Sequence, residues 1–485
     1  MRLLPLGVFL LCQNNFFGSF GVAATQCRLK SPGKVLANVP ATPPSNPSNG
    51  VGTPQSSTVP PSSSIPPSFS SNPGSAAPTP SPAPDFVYGN DKIRGVNLGG
   101  WLVLEPWITP SVFESTNNDA IVDEYTLGQY LDTKTALDIL QRHWETWITE
   151  EDFVAIKAAG LNHVRIPLGY WSVPLTSADT DGPTHVDPYI PGGWPYLVKA
   201  LGWAKKHSIR VIIDIHGAPG SQNGYDNSGH RTSNPQWADN PANVSRTVDT
   251  LRFITKSIGD MVDVIELLNE PAGFRGGGFS QTVRQFWSDG YDAVREAGDA
   301  GIKVMIGDAF LGVQNWNGFL AYPRAQGVLM DFHEYQIFSD LELDRSFDEH
   351  VKFACNYWDS LSAYESSNIW TIIGEWSNAV TDCAKWLNGR GVGSRWDGTW
   401  YSSANSQYHG SCTNFTGSYA GFSGSYKAFL RKYWEVQVEV GENISGWVFW
   451  TWKAENADEW SYQKGLEGGW IPHDPTDRKY PGICS

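Results

Sequence analysis

The chain has 485 residues, 40% of them hydrophobic, enough for one large folded domain with a sizeable core. Its 35 basic and 50 acidic residues leave a net charge of −15, which repels phosphate backbones and anionic membranes and argues against a nucleic-acid partner. The 22 tryptophans offer flat apolar faces of the kind sugar rings lie against, beside their ordinary work in a core.

At the start, Met1-Arg2 precedes a mostly apolar stretch that ends near Cys12, and small residues follow at Gly21-Val22-Ala23-Ala24. This is a secretory signal pattern over 1–24, with cleavage near Ala24. Cys12-Gln13-Asn14-Asn15 interrupts the apolar run, which makes it a poor membrane-spanning helix. Residues 25–84 are rich in Pro, Ser and Thr. Such a segment cannot bury a core and is expected to form a disordered, O-glycosylated stalk. The folded domain is expected over 85–485.

Short apolar runs then recur at 93–98, 163–168, 210–216, 264–270, 303–308, 328–333, 369–375 and 446–452. They are short and rich in β-branched residues, as strands buried on both faces are. Helix-length segments separate them, among them 150–159, 195–207 and 280–297. Thr149 is placed to cap the first of these and Gly160 to stop it. Eight such alternations predict an α/β fold, the (β/α)8 TIM barrel. The domain exceeds a bare barrel of about 250 residues. The surplus falls mainly in 99–162 and 376–443, long loops that follow strand carboxyl ends and so wall the mouth.

The fourth run, Val264-Ile265-Glu266-Leu267-Leu268-Asn269-Glu270-Pro271, ends in two polar residues before a proline that cannot continue a ladder. The seventh ends in Gly374-Glu375-Trp376. Catalytic residues of barrel enzymes sit at strand carboxyl ends. Two glutamates facing one another across the mouth suit glycoside hydrolysis, which in its retaining form needs carboxyls about 5–5.5 Å apart.

Around this pair the sequence carries Arg94-Gly95-Val96-Asn97-Leu98-Gly99-Gly100-Trp101 and Leu104-Glu105-Pro106-Trp107. Arg165-Ile166-Pro167 follows, then Asp214-Ile215-His216-Gly217-Ala218-Pro219-Gly220-Ser221-Gln222-Asn223-Gly224. His333-Glu334-Tyr335-Gln336 and Trp450-Thr451-Trp452-Lys453 complete the set. In this order the motifs resemble glycoside hydrolase family 5, and within it the fungal exo-β-1,3-glucanase branch. The resemblance runs from residue 91 to the C-terminus.

The resemblance implies Glu270 as general acid/base and Glu375 as nucleophile. It implies substrate-binding or supporting roles for Glu105, Arg165, His216, Asn269, His333, Tyr335 and Trp450. A dry site is expected to raise the pKa of Glu270, and Arg165 to lower that of Glu375. In this branch two phenylalanines clamp the entrance. Phe338 keeps one, and Tyr225 stands at the other, adding a hydroxyl. Trp101, Trp107, Trp376 and Trp452 suit packing as well as sugar platforms, and Lys453 and Asp226 are open between structure and function.

None of the six cysteines forms a Cys-x-x-Cys pair and no histidine cluster stands near them, so no metal is expected. Disulfides suit a secreted chain. The resemblance suggests Cys355 with Cys484 and Cys383 with Cys412. It implies no cofactor, a monomer, β-1,3-glucan as substrate and a secreted protein of the extracellular space or cell wall. The expected reaction is release of glucose from non-reducing ends. Two rivals are a β-1,6- or endo-β-glucanase of the same family and an inactive wall-glucan-binding protein.

Overall fold

The computed structural model describes residues 86–179, 186, 188–400 and 407–484. The expected signal segment 1–24 and stalk 25–84, with Cys12 and Cys27, lie outside the described residues.

Eight strands appear where the apolar runs predict them. They are β1 Ile93–Asn97, β2 His163–Gly169, β3 Arg210–Gly217, β4 Val264–Glu266, β5 Lys303–Gly307, β6 Val328–Glu334, β7 Trp370–Trp376 and β8 Gly446–Phe449. Each pairs in parallel with the next, and β8 pairs with β1, so the sheet closes into a barrel. The ladder of β4 stops at Glu266, short of the apolar run. The chain nevertheless continues upward, because the Leu267 N–H donates to Met305 O (3.0 Å) and the Asn269 N–H to Ile215 O (2.9 Å).

Side chains alternate along a strand, so every second residue enters the barrel. At the bottom Ile93, Ile212, Val264, Met305, Leu329, Ile372 and Val448 form a separate buried apolar cluster. Phe86 and Tyr88, at the start of the described chain, pack against it. Two residues further along β3, β4 and β6 stand Asp214, Glu266 and Asp331. Two further again along β3 and β6 stand His216 and His333. The barrel is therefore apolar at its floor, charged in its middle and polar at its mouth. The alternate residues, among them Val211, Ile265, Val304, Met330 and Ile373, join the larger core shared with the helices.

The three expected helices form at Glu150–Ala158, Trp194–Lys206 and Gly277–Ala297. At the first, the Asp152 carboxylate accepts from the Thr149 N–H at 2.9 Å, closing the capping box. The long connection before β2 carries four helices, Pro110–Glu114, Glu124–Tyr130, Thr133–Thr146 and Glu150–Ala158. The one after β7 is braced by the Cys383–Cys412 disulfide, and Cys355–Cys484 ties the helix Phe347–Ser367 to the tail. Both pairings are those the resemblance suggests. Among the described residues no helix is long and apolar enough to cross a membrane.

Candidate active site

Strict alternation from Ile372 would turn Gly374 inward and Glu375 outward. The β6–β7 register shifts between Phe332 and His333, so that His333 pairs with Glu375. That irregularity turns Glu375 into the barrel, where Arg165 Nη1 donates to its Oε1 at 2.9 Å and the Tyr335 hydroxyl to its Oε2 at 3.0 Å.

Glu270 enters the mouth by a different device. Its φ is +45°, a left-handed conformation that costs energy for a residue with a Cβ. Side chains from the loop after β3 hold it there. Gln222 Nε2 donates to Asn269 O (3.0 Å) and His216 O (2.7 Å), and Asn223 Nδ2 donates to Glu270 O (3.3 Å). The Glu270 carboxylate accepts from Asn227 Nδ2 on Oε2 (3.1 Å), and its Oε1 lies 2.9 Å from His333 Nδ1. One carboxyl oxygen of Glu270 and one of Glu375 lie within 4.8 Å of each other, with His333 between them.

Arg165 is fully buried and is the hub of the middle layer. Its Nε donates to Glu266 Oε2 (2.6 Å), its Nη1 also to Asn97 Oδ1 (3.0 Å) and its Nη2 to Asn269 Oδ1 (2.8 Å). Asp214 Oδ2 lies 3.1 Å from Nη2 and Asp331 Oδ2 3.9 Å from Nε. A planar five-donor fork can serve so many acceptors at once where a lysine could not.

The two histidines are held from below by the acid two residues earlier on the same strand. His216 Nδ1 lies 2.5 Å from Asp214 Oδ2, and its Nε2 lies 3.5 Å from Asn269 Nδ2. His333 uses its nitrogens the other way round, with Nε2 3.2 Å from Asp331 Oδ2 and Nδ1 toward Glu270. Trp450 stacks on the His216 ring, 5.5 Å between centroids and 9° between planes. Glu105 is buried, accepts from Trp107 Nε1 on Oε2 (3.1 Å), and keeps Oε1 without a protein partner.

Titration directions differ from those the sequence leads one to expect. Burial alone would raise Glu270, but the hydrogen bond and charge of His333, with His216 and Asn227, outweigh it and bring the carboxyl below its ordinary value. Burial raises Glu375, and His333 and Arg165 only partly offset this. Burial disfavours a charge on His333, yet Glu375, Asp331 and the hydrogen bonds to Asp331 and Glu270 hold it well above its ordinary value. The expectation of a raised Glu270 therefore fails. The reason is an imidazole at hydrogen-bond distance, which no spacing in the sequence reveals. Burial and the nearby Asp226, Glu375 and Glu270 raise Glu105 well above the ordinary range, against the Trp107 hydrogen bond.

Glu105, Arg165, His216, His333 and Tyr335 are each linked to Glu270 or Glu375 by a hydrogen bond or by charge, and Asn269 and Trp450 join the group through Arg165 and His216. Tyr225 is half-buried, its phenol pushed up to about 12 by burial and by Glu270. Phe338 is half-buried and packs edge-on to Tyr335, 5.7 Å between centroids. Trp101, Trp376 and Trp452 are fully buried packing residues. Lys453 is structural: it pairs with Asp152 at 3.0 Å and lies over the Trp147 ring. The sequence motifs do not single out Asn227, Glu266 and Asp331 or the role of Asp214. An acid inside an apolar strand run was the available signal, because such a charge must find a partner. Glu266–Asp331–His333 and Glu270–His333–Glu375 each bring three ligand-type atoms within 4.8 Å, but Arg165 already stands among these acids as their cation.

The family model described as Cellulase (glycosyl hydrolase family 5) matches residues 130–421. A Wickerhamomyces anomalus protein named Glucan 1,3-beta-glucosidase 2 is 46% identical over 410 residues, covering 82% of this chain and 91% of that protein. A Blumeria graminis protein named Glucan 1,3-beta-glucosidase is 43% identical over 404 residues, with the same two coverages. Among solved structures, a rutinosidase from Aspergillus niger shares the fold at TM-score 0.60 and 19% identity, covering 79% of this chain and 98% of that one.

Proposed function

We propose a reaction for this chain on the premise that it belongs to glycosyl hydrolase family 5. It is a glycoside hydrolase that cleaves β-1,3-glucan from non-reducing ends, releasing glucose with retention at the anomeric carbon. It acts outside the cell, on wall glucan. The names of relatives more than 40% identical over most of their length support the substrate. The observation that supports the stereochemistry is the approach of Glu270 and Glu375 within 4.8 Å. Inverting enzymes keep their carboxyls about 6.5–9.5 Å apart to admit a water.

In the first step Glu375 attacks the anomeric carbon. The glycosidic C–O bond breaks as Glu270 gives its proton to the leaving oxygen. A glucosyl ester on Glu375 forms, and the shortened glucan departs. In the second step Glu270 takes a proton from water, the water oxygen attacks the same carbon, and Glu375 leaves as a carboxylate. Arg165 and Tyr335 each hold one oxygen of Glu375, which fixes its approach and stabilises its charge on leaving. The Asn269 amide oxygen faces Arg165, and its Nδ2, 3.5 Å from His216 Nε2, keeps an N–H to meet the sugar 2-hydroxyl. Glu105 Oε1, buried and unpartnered, suits another sugar hydroxyl. The Trp450 face floors the bound ring.

Product analysis on laminarin tests this reading. Glucose as the sole early product supports exo action, and a ladder of oligosaccharides contradicts it.

A further inference from the structure

Asp331 is buried on β6, two residues below His333. Its Oδ2 lies 3.2 Å from His333 Nε2 and 3.9 Å from Arg165 Nε, and its Oδ1 has no hydrogen-bond partner. A carboxyl oxygen buried in that way is costly. The neighbouring strand makes room for it: a Cβ on Gly374 would lie 2.0–2.4 Å from the Asp331 carboxyl. The residue immediately before Glu375 is therefore a glycine because Asp331 fills its side-chain space.

His333 has a carboxyl at each ring nitrogen, Asp331 at Nε2 and Glu270 at Nδ1. A neutral imidazole carries only one N–H. With Nε2–H donated to Asp331, one proton remains between Nδ1 and Glu270 Oε1. It rests either on the ring, leaving Glu270 ionised, or on Glu270, leaving the ring neutral. The charged and titratable groups facing this pair are Glu375, Asp331, Glu266, Asp308, Glu105, His216, Tyr225, Tyr335 and Arg165.

The geometry points to Asp331 as a positioning residue that fixes the His333 tautomer and so keeps the acid's proton shared between His333 Nδ1 and Glu270 Oε1. In the first step that proton passes from Glu270 to the leaving oxygen, and His333 stays neutral with Nε2–H in place. In the second step the proton taken from water restores the shared state. The atoms balance, with water as the only source of the replaced proton. This inference rests on the acid role of Glu270 proposed above.

Two aryl β-glucosides separate the claims in the full-length protein. Turnover of either by the wild type supports the hydrolase reading, and turnover of neither removes it. In Asp331→Asn, kcat/KM for phenyl β-glucoside, whose leaving group needs a proton, is expected to fall about 10–100-fold. For 2,4-dinitrophenyl β-glucoside, which leaves unassisted, the expected fall is under about threefold, since general-acid help contributes little there. The alkaline limb for the phenyl substrate moves to lower pH, because loss of the Asp331 charge weakens the hold on the shared proton. Equal losses on both substrates would overturn the inference and leave the hydrolase reading standing. Should the variant fail to fold, ¹⁵N NMR of the wild-type histidines decides. A protonated His333 Nε2 from pH 4 to 8, with Nδ1 as the titrating nitrogen, is expected, and a bare Nε2 overturns the proposal.

Discussion

Arg165 Nη1 lies 2.9 Å from Glu375 Oε1 with both side chains buried, and the same guanidinium also serves Glu266, Asp214, Asn97 and Asn269. One cation thus holds the proposed nucleophile and the layer beneath it. In Arg165→Lys a single ammonium cannot replace the fork, and kcat is expected to fall at least ~100-fold, the usual cost of a displaced catalytic group. In Arg165→Met the acids lose their partner, and the fold is expected to lose about 3–5 kcal/mol. Steady-state kinetics and denaturant unfolding check the two halves separately.

Azide assigns the two glutamates. In Glu375→Ala the attacking carboxylate is gone, and azide can enter only from its side, so rescue is expected to give the α-glucosyl azide. In Glu270→Ala the glucosyl ester still forms from an activated aryl glucoside, and azide displaces Glu375 to give the β-glucosyl azide. Each variant alone is expected to lose ~10²–10⁴-fold on a substrate that needs both groups. NMR of the isolated azides checks the assignment, and exchanged anomers would reverse it.

The barrel was legible because a buried parallel strand advertises itself. Runs such as 210–216 and 328–333 are apolar, short and spaced by helices, and each became a strand. The two glutamates were legible because each ended such a run. What stayed hidden depends on which residues meet across the barrel. Asp331 and Glu266 look like interruptions of apolar strands until Arg165 is seen among them. The inward turn of Glu375 depends on a register shift between β6 and β7, which no local pattern encodes. The lowering of Glu270 is hidden for the same reason, since His333 lies 63 residues away in sequence and 2.9 Å away in space.

Buried titratable groups outside the mouth set a pH window for stability. Burial pushes Glu124 up to about 7 and Glu334 and Glu459 up to about 8, from an ordinary 4.5. Their contribution is whole below pH 4.5 and is lost as pH rises toward 7–8, because the unfolded chain gives up those protons first. Burial pushes His143 down to about 4 and His163 and His350 down to about 3, from an ordinary 6.5. Their contribution is whole above pH 6.5 and is lost as pH falls toward 3–4. Between pH 4.5 and 6.5 the two slopes oppose one another. The melting temperature is therefore expected to peak in that interval and to fall on both sides. A steady rise to pH 8 in calorimetry would contradict this.

The two disulfides differ in the chain they close. Cys355–Cys484 spans a separation of 129 residues and Cys383–Cys412 one of 29. Loop-closure entropy assigns about 5 kcal/mol to the first and about 3.5 kcal/mol to the second. Replacing the first pair by serines is expected to lower the melting temperature more than replacing the second.

The central claim is hydrolysis through a glucosyl ester on Glu375, which requires two inversions at one carbon. ¹H NMR of the first glucose released from laminarin tests it most directly. The β-anomer is expected to appear first and then mutarotate. An initial α-anomer would contradict the two-step mechanism and the roles given to both glutamates.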